Sequence, residues 1–284
     1  SKAVCIYIPI SDKTFSYNIA NLVRNLTSDW DGDDHVYIAG LPVAEDTFGV
    51  EMLVQMSTSA PLAMLILFLI MFVFFRRITL IIPPLLMAGV TVVWTMGLLI
   101  GLGFDVHIMS SMIPIFIMPI TVCDSIHVLS EFFDSYGKYK DKSKTLRHVM
   151  RELFMPMLFT STTTMAGFAS LATTPIPPVK VFGLHVAFGV GVGWLLTMTF
   201  VPAFIKLFIS EKSLASLKPV DADGKAKIDP LGRMLNAIAG MTYRKSTAIL
   251  VITVLVLGLS IYGITVIQVN DNPVKWFTKN HDIR

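Results

Sequence analysis

The stretch IMSSMIPIFIMPITVCDSIHVLSE, residues 108–131, decides the fold. A helix crossing about 30 Å of hydrocarbon needs roughly 20 mostly apolar residues. The run from 108 to 130 has that length and reads as a membrane span. Inside it lie Asp124 and His127, with Glu131 at its end. At about 3.6 residues per turn these three share one stripe of a helix.

Five further runs flank it, at about 60–75, 79–101, 153–173, 181–208 and 246–268. The first is short, but Val43 to Gln55 reads as a continuous helical lead into it. Pro83, Pro84, Pro114, Pro119, Pro156 and Pro202 fall within or at the ends of these runs. Membrane helices tolerate proline because neighbouring groups satisfy the freed carbonyls. The reading is a mainly α chain, a polytopic transmembrane bundle with six spans. Composition agrees. Hydrophobic residues make up 54% and charged residues 15%, against about 25% charged in a soluble globular protein.

Residues 1–57 are polar and mixed. Val4 to Ile8 reads as a strand, Phe15 to Ser28 as an amphipathic helix and His35 to Ala39 as a second strand. Strand, helix, strand fits the end of an α/β or α+β domain. Asp29, Asp31, Asp33 and Asp34 crowd the turn before the second strand. They lack the spacing and closing Glu of a calcium loop, so they read as a solvated turn. Cys5 and Cys123 belong to different layers and predict no disulfide. Ser1 is not an initiator Met and no targeting segment precedes it, so a piece of a longer protein is expected.

The loops orient the spans. Arg76 and Arg77 follow the first span. Lys138, Lys140, Lys142, Lys144, Arg147 and Arg151 follow the third. The segment from Lys206 to Lys245 follows the fifth. Together these hold most of the chain's 23 basic residues. The loops 102–107 and 174–180 hold only Lys180. Basic loops lie in the cytoplasm, which places both ends of the chain outside. On that side, Thr145 to Leu153 has Leu146, Val149, Met150 and Leu153 on one face and reads as an interfacial helix. Residues 210–245 read as a polar linker. The domains are then 1–57 (outer domain), 58–209 (five-helix bundle), 210–245 (cytoplasmic linker), 246–268 (a further span) and 269–284 (start of a second outer domain). A net charge of +3 carried in short loops gives no footprint for nucleic acid.

Asp124 is the residue most suited to chemistry. It lies roughly 10 Å deeper than Glu131 at 1.5 Å per residue. A charged Asp there costs at least about 2.5–3.5 kcal/mol, so it must face protein or a water path. It is either a proton-relay acid or a structural group hydrogen-bonded to a neighbour. His127 either joins the relay or donates to a carbonyl. Thr160, Ser161, Thr162, Thr163 and Thr164 on the fourth span sit at similar depth. They either reach Asp124 and hold a water wire or bond their own helix carbonyls. Gly183, Gly189, Gly191 and Gly193 on the fifth span signal close helix packing, and His185 reads as structural. No Walker motif, metal-ligand cluster or nucleophile–base pair is present in the sequence. Neither an enzyme nor a cofactor or metal is expected.

Four motifs resemble the resistance–nodulation–division (RND) superfamily, in particular its MmpL-type and hopanoid-exporter-like branch. They are CDSIHVL at 123–129, PMLFTSTTTMAGFAS at 156–170, the run from Phe182-Gly-Leu to Pro202-Ala, and NDNPVKWF at 270–277. The five helices of 58–209 are also similar to a sterol-sensing domain. The resemblance implies the second to seventh helices of a twelve-helix exporter in a bacterial inner membrane, with residues 1–57 the end of a first extracytoplasmic α/β porter-type domain and 269–284 the start of a second. It implies a proton relay at Asp124 and Ser125, with Ser125 where many relatives have Tyr, and His127 beside them. The partner acid is expected in a tenth helix. Proton-motive-force-driven export of lipids or other hydrophobic molecules follows. The expected partners are membrane lipids, a hydrophobic substrate, protons and further copies of the chain in a dimer or trimer. A lipid sensor without transport and a secretion accessory are the other readings.

Overall fold

The computed structural model describes residues 4–10, 16–28, 36–75, 78–209 and 230–267. Within these, α1 (Ser16–Thr27), α2 (Leu41–Phe75), α3 (Ile78–Gly101), α4 (Ile108–Ser111), α5 (Ile113–Tyr139), α6 (Lys142–Ala169) and α7 (Pro177–Phe208) precede α8 (Pro230–Arg244) and α9 (Ser246–Thr265). The chain divides into two compact units, 1–217 and 218–284. The second contains α8 and α9 among its described residues.

Five helices are long and apolar enough to cross a membrane: Met52–Val73, Ile78–Gly101, Ile108–Tyr139, Pro177–Phe208 and Ser246–Thr265. The expected span 153–173 forms instead as the second half of α6 and is not among the five. Its length suffices, but Pro156 and the run Thr160–Thr164 dilute its apolar character. The multi-pass, mainly α reading stands on the five, and the count of six does not.

The strand expectations are corrected. Residues 4–10 and 36–40 have no regular structure, and no strand occurs among the described residues. A strand needs a ladder partner, and an isolated pair is marginal even with one. None of the described segments offers one. The Asp-rich turn lies outside the described residues. The helix between the two segments does form, as α1, and Ser16 Oγ donates to Pro42 O at 3.4 Å. The lead-in helix also forms. α2 runs unbroken for 35 residues through Pro61, and so through the expected domain boundary at 57.

Within the first unit α5 is the hub, packing against α2, α3, α6 and α7. It breaks from α4 at Met112, with Pro114 in its first turn. Proline suits that position because its missing N–H would have no intrahelical partner there. α5 ends at Lys140, a left-handed cap (φ 50°) whose N–H bonds Tyr136 O. α6 starts at once. Asp141 caps it, accepting from Lys144 N at 2.7 Å, so only two residues separate the helices.

Three apolar clusters hold the unit together. Leu80, Phe132, Leu146, Val149, Met157, Val201 and Ile205 fill the end nearest the α5–α6 joint. Leu99, Ile113, Ile117, Phe182, Val186 and Val190 fill the opposite end, with Phe116, Phe168 and Phe182 edge to face. Met71, Ile81, Ala88, Met118 and Val122 join α2 to α3 and α5. The first cluster corrects the interfacial helix. Leu146 and Val149 are buried in protein, and their helix continues directly into the second half of α6. An amphipathic face records only that something apolar covers it. Here the cover is α3, α5 and α7. Within the expected linker, residues 230–244 are helical as α8.

Candidate functional site

Asp124 lies on α5, the most buried of the crossing helices in this unit. Its side chain is 8% exposed, at the rim of the face that α5 turns toward its neighbours. Ser125, the next residue, is fully enclosed. His127 points out of the bundle with Cys123, whose sulfur lies 3.7 Å from His127 Nε2. Glu131 is half-buried and accepts from Ser135 Oγ at 2.9 Å. The stripe Asp124, His127, Glu131 is therefore present, but it straddles two environments. Asp124 sits on the inward rim and His127 on the open face. No cation among the described residues pairs with Asp124, and no group of three potential metal ligands occurs among them.

Three of the five hydroxyls in the α6 run bond back to their own helix. Thr160 donates to Pro156 O, Thr163 to Phe159 O and Thr160 O, and Thr164 to Thr160 O. These hydroxyls satisfy themselves on their own helix. Thr162 is exposed, and Ser161 alone of the five is buried.

Apart from Ser125, the fully enclosed hydroxyls of α3, α5 and α7 come from residues that sequence reasoning passed over. Thr91 and Thr95 on α3, Thr121 and Ser125 on α5 and Thr197 on α7 are all 0% exposed. Thr91 and Thr95 donate to carbonyls one turn back, Met87 O and Thr91 O, each at 2.7 Å. Ser125 donates to Thr121 O at 3.0 Å and lies 3.4 Å from Thr197 Oγ1. Thr121 Oγ1 is buried without a hydrogen-bond partner. The available signal was spacing. Thr91 and Thr95, like Thr121 and Ser125, are four apart and so stack on one helix face. That pattern does not say which face is covered.

The glycines of α7 explain how the helices come so close. A Cβ at Gly193 would stand 2.7 Å from Thr121 Oγ1, and one at Gly189 would collide with Ile117 and reach 2.8 Å from Thr95 Oγ1. On the other side, Gly183 meets Phe168 O and Gly191 meets Met165. Thus α7 is thinned toward α3 and α5 on one face and toward α6 on the other. His185, also on α7, is 5% exposed; its Nδ1–H donates to Val181 O at 2.7 Å and its ring meets Phe104 edge-on. Its place is structural.

A buried acid among crossing helices, thinned helix contacts and enclosed hydroxyls characterise this bundle. The model of the MMPL family matches residues 12–226. The chain belongs to the MMPL family. That membership supports a membrane protein of the RND/MMPL type. A Methanocaldococcus jannaschii protein named "Putative membrane protein MJ1562" is 25% identical over 137 residues. That alignment covers 48% of this chain and 35% of the relative, so the aligned part spans about a third of the relative's length.

Proposed function

We propose that this MMPL-family chain is part of a proton-motive-force-driven exporter of lipids or other hydrophobic molecules, with Asp124 as its proton-carrying acid. The observation that carries this is the placement of Asp124. It is a carboxyl in the middle of a crossing helix, turned toward protein at the rim of an open polar face, with no cation paired to it among the described residues. Intramembrane acids are expensive and mark ion paths. One charge moved through 100 mV supplies about 2.3 kcal/mol, so a few protons per cycle suffice to drive export. Ser125 and His127 flank the acid, on the enclosed and open sides respectively. The outer face of α5, with Cys123, His127 and Ser130, is too polar for acyl chains. It suits a second helical half bearing a partner acid.

In this reading α6 also crosses, because its hydroxyls are internally bonded and cost little in lipid. The basic loops then face the cytoplasm of a bacterial inner membrane, and the outer domains lie beyond it. Residues 58–209 work as a sterol-sensing-like helix group, and the transporter assembles as a dimer or trimer. It uses no cofactor and performs no covalent chemistry.

The test is proton flux. Full-length protein in liposomes with an imposed pH gradient and an entrapped pH-sensitive dye is compared with its Asp124→Asn variant. Flux through the wild type, lost in the variant, is the expected result. Equal flux through both removes the relay role.

A further inference from the structure

Thr121 differs from the other enclosed threonines of the bundle. Thr91 and Thr95 return their hydroxyls to carbonyls one turn back. Thr121 Oγ1, 0% exposed, has no partner at all. A buried hydroxyl left unmade is costly, and a bound water is the usual remedy. The surroundings supply further partners. Ser125 Oγ and Thr197 Oγ1 are 3.4 Å apart, beyond the usual range of an O–H···O bond, so both retain hydrogen-bonding capacity. Gly193 of α7 lies close against Thr121, and a Cβ there would stand 2.7 Å from Thr121 Oγ1. Asp124 follows Thr121 by three residues, so the two lie on one side of α5 on adjacent turns.

We propose that Thr121, Ser125 and Thr197 hold a water between α5 and α7 that serves the carboxyl of Asp124, with Thr121 as the positioning residue. A buried water typically makes about three hydrogen bonds, which these hydroxyls provide. The proton then reaches Asp124 from the enclosed side of α5, opposite His127. This rests on the relay reading of Asp124.

The probe is deuterium oxide. Infrared difference spectra of the full-length protein in lipid identify the Asp124 carboxyl as the band lost in Asp124→Asn. Its hydrogen–deuterium exchange is then timed. Thr121→Val is expected to slow exchange by at least about tenfold, the rate equivalent of one lost hydrogen bond, and Thr121→Ser to restore it. Exchange at the wild-type rate in Thr121→Val, with a raised Tm, marks a dry unpaired hydroxyl and overturns the proposal. Should the valine variant fail to fold, Gly193→Ala fills the same space, and slowed or unchanged exchange decides in the same way. A band that is present but indifferent to both changes overturns the water site alone. The lack of any exchangeable Asp124 band overturns the relay reading as well.

Discussion

Gly189 and Gly193 set the distances on which the buried polar chemistry depends. Replacing Gly189 by valine drives a branched side chain into Ile117 and Thr95. Overpacking of this kind costs about 1–3 kcal/mol. A lower midpoint of thermal unfolding in detergent is expected, whereas Gly97, where a Cβ would meet nothing within 4 Å beyond its own helix backbone, accepts alanine without loss. At this scale the sequence was only partly legible. Asp124 stood out because an acid in an apolar run is conspicuous. Thr121 and Thr197 did not, because threonine is unremarkable in a membrane helix and usually bonds its own backbone. The run Thr160–Thr164 was conspicuous for the opposite reason. Five consecutive hydroxyl residues look like a polar surface, yet consecutive residues on a helix point in all directions. Only Ser161 turns inward. Which hydroxyl matters depends on which face is covered, and that is fixed by packing between helices.

The helix α6 shows the same limit one level up. Its first half has the amphipathic pattern of a helix lying on a membrane, and that pattern also describes a helix buried against protein. Nothing in Leu146, Val149, Met150 and Leu153 distinguishes the two. Where a local signal is complete, the reading is reliable. The reading of Val43 to Gln55 as a helical lead-in foretold the long α2, which runs through Gly49 without a break. The α5–α6 joint offers two checks of local energetics. Asp141→Ala removes the cap that satisfies Lys144 N and is expected to cost about 1 kcal/mol, read as faster amide exchange in the first turn of α6. Lys140 holds a left-handed conformation that costs a residue with a Cβ about 1–2 kcal/mol. Lys140→Gly is therefore expected to raise the unfolding midpoint slightly.

For the molecule as a whole, the crossing helices were legible from hydropathy because lipid demands long apolar runs. The two strands expected in the polar first 57 residues do not form. They would need partners that the described residues do not supply. The crossing of α6 is decided by side-specific labelling. Single cysteines placed at residue 105 and near residue 175 in a Cys5, Cys123-free background are expected to react with an impermeant maleimide from one side of the membrane. One at residue 141 is expected to react from the other. Labelling of residues 141 and 175 from the same side would leave α6 outside the membrane core. The same joint has a mechanical meaning. With two residues and a fixed cap between them, α5 has no slack against α6. A stroke begun at Asp124 by the gain or loss of one proton would be passed on undiminished, so the pair acts as one lever rather than two.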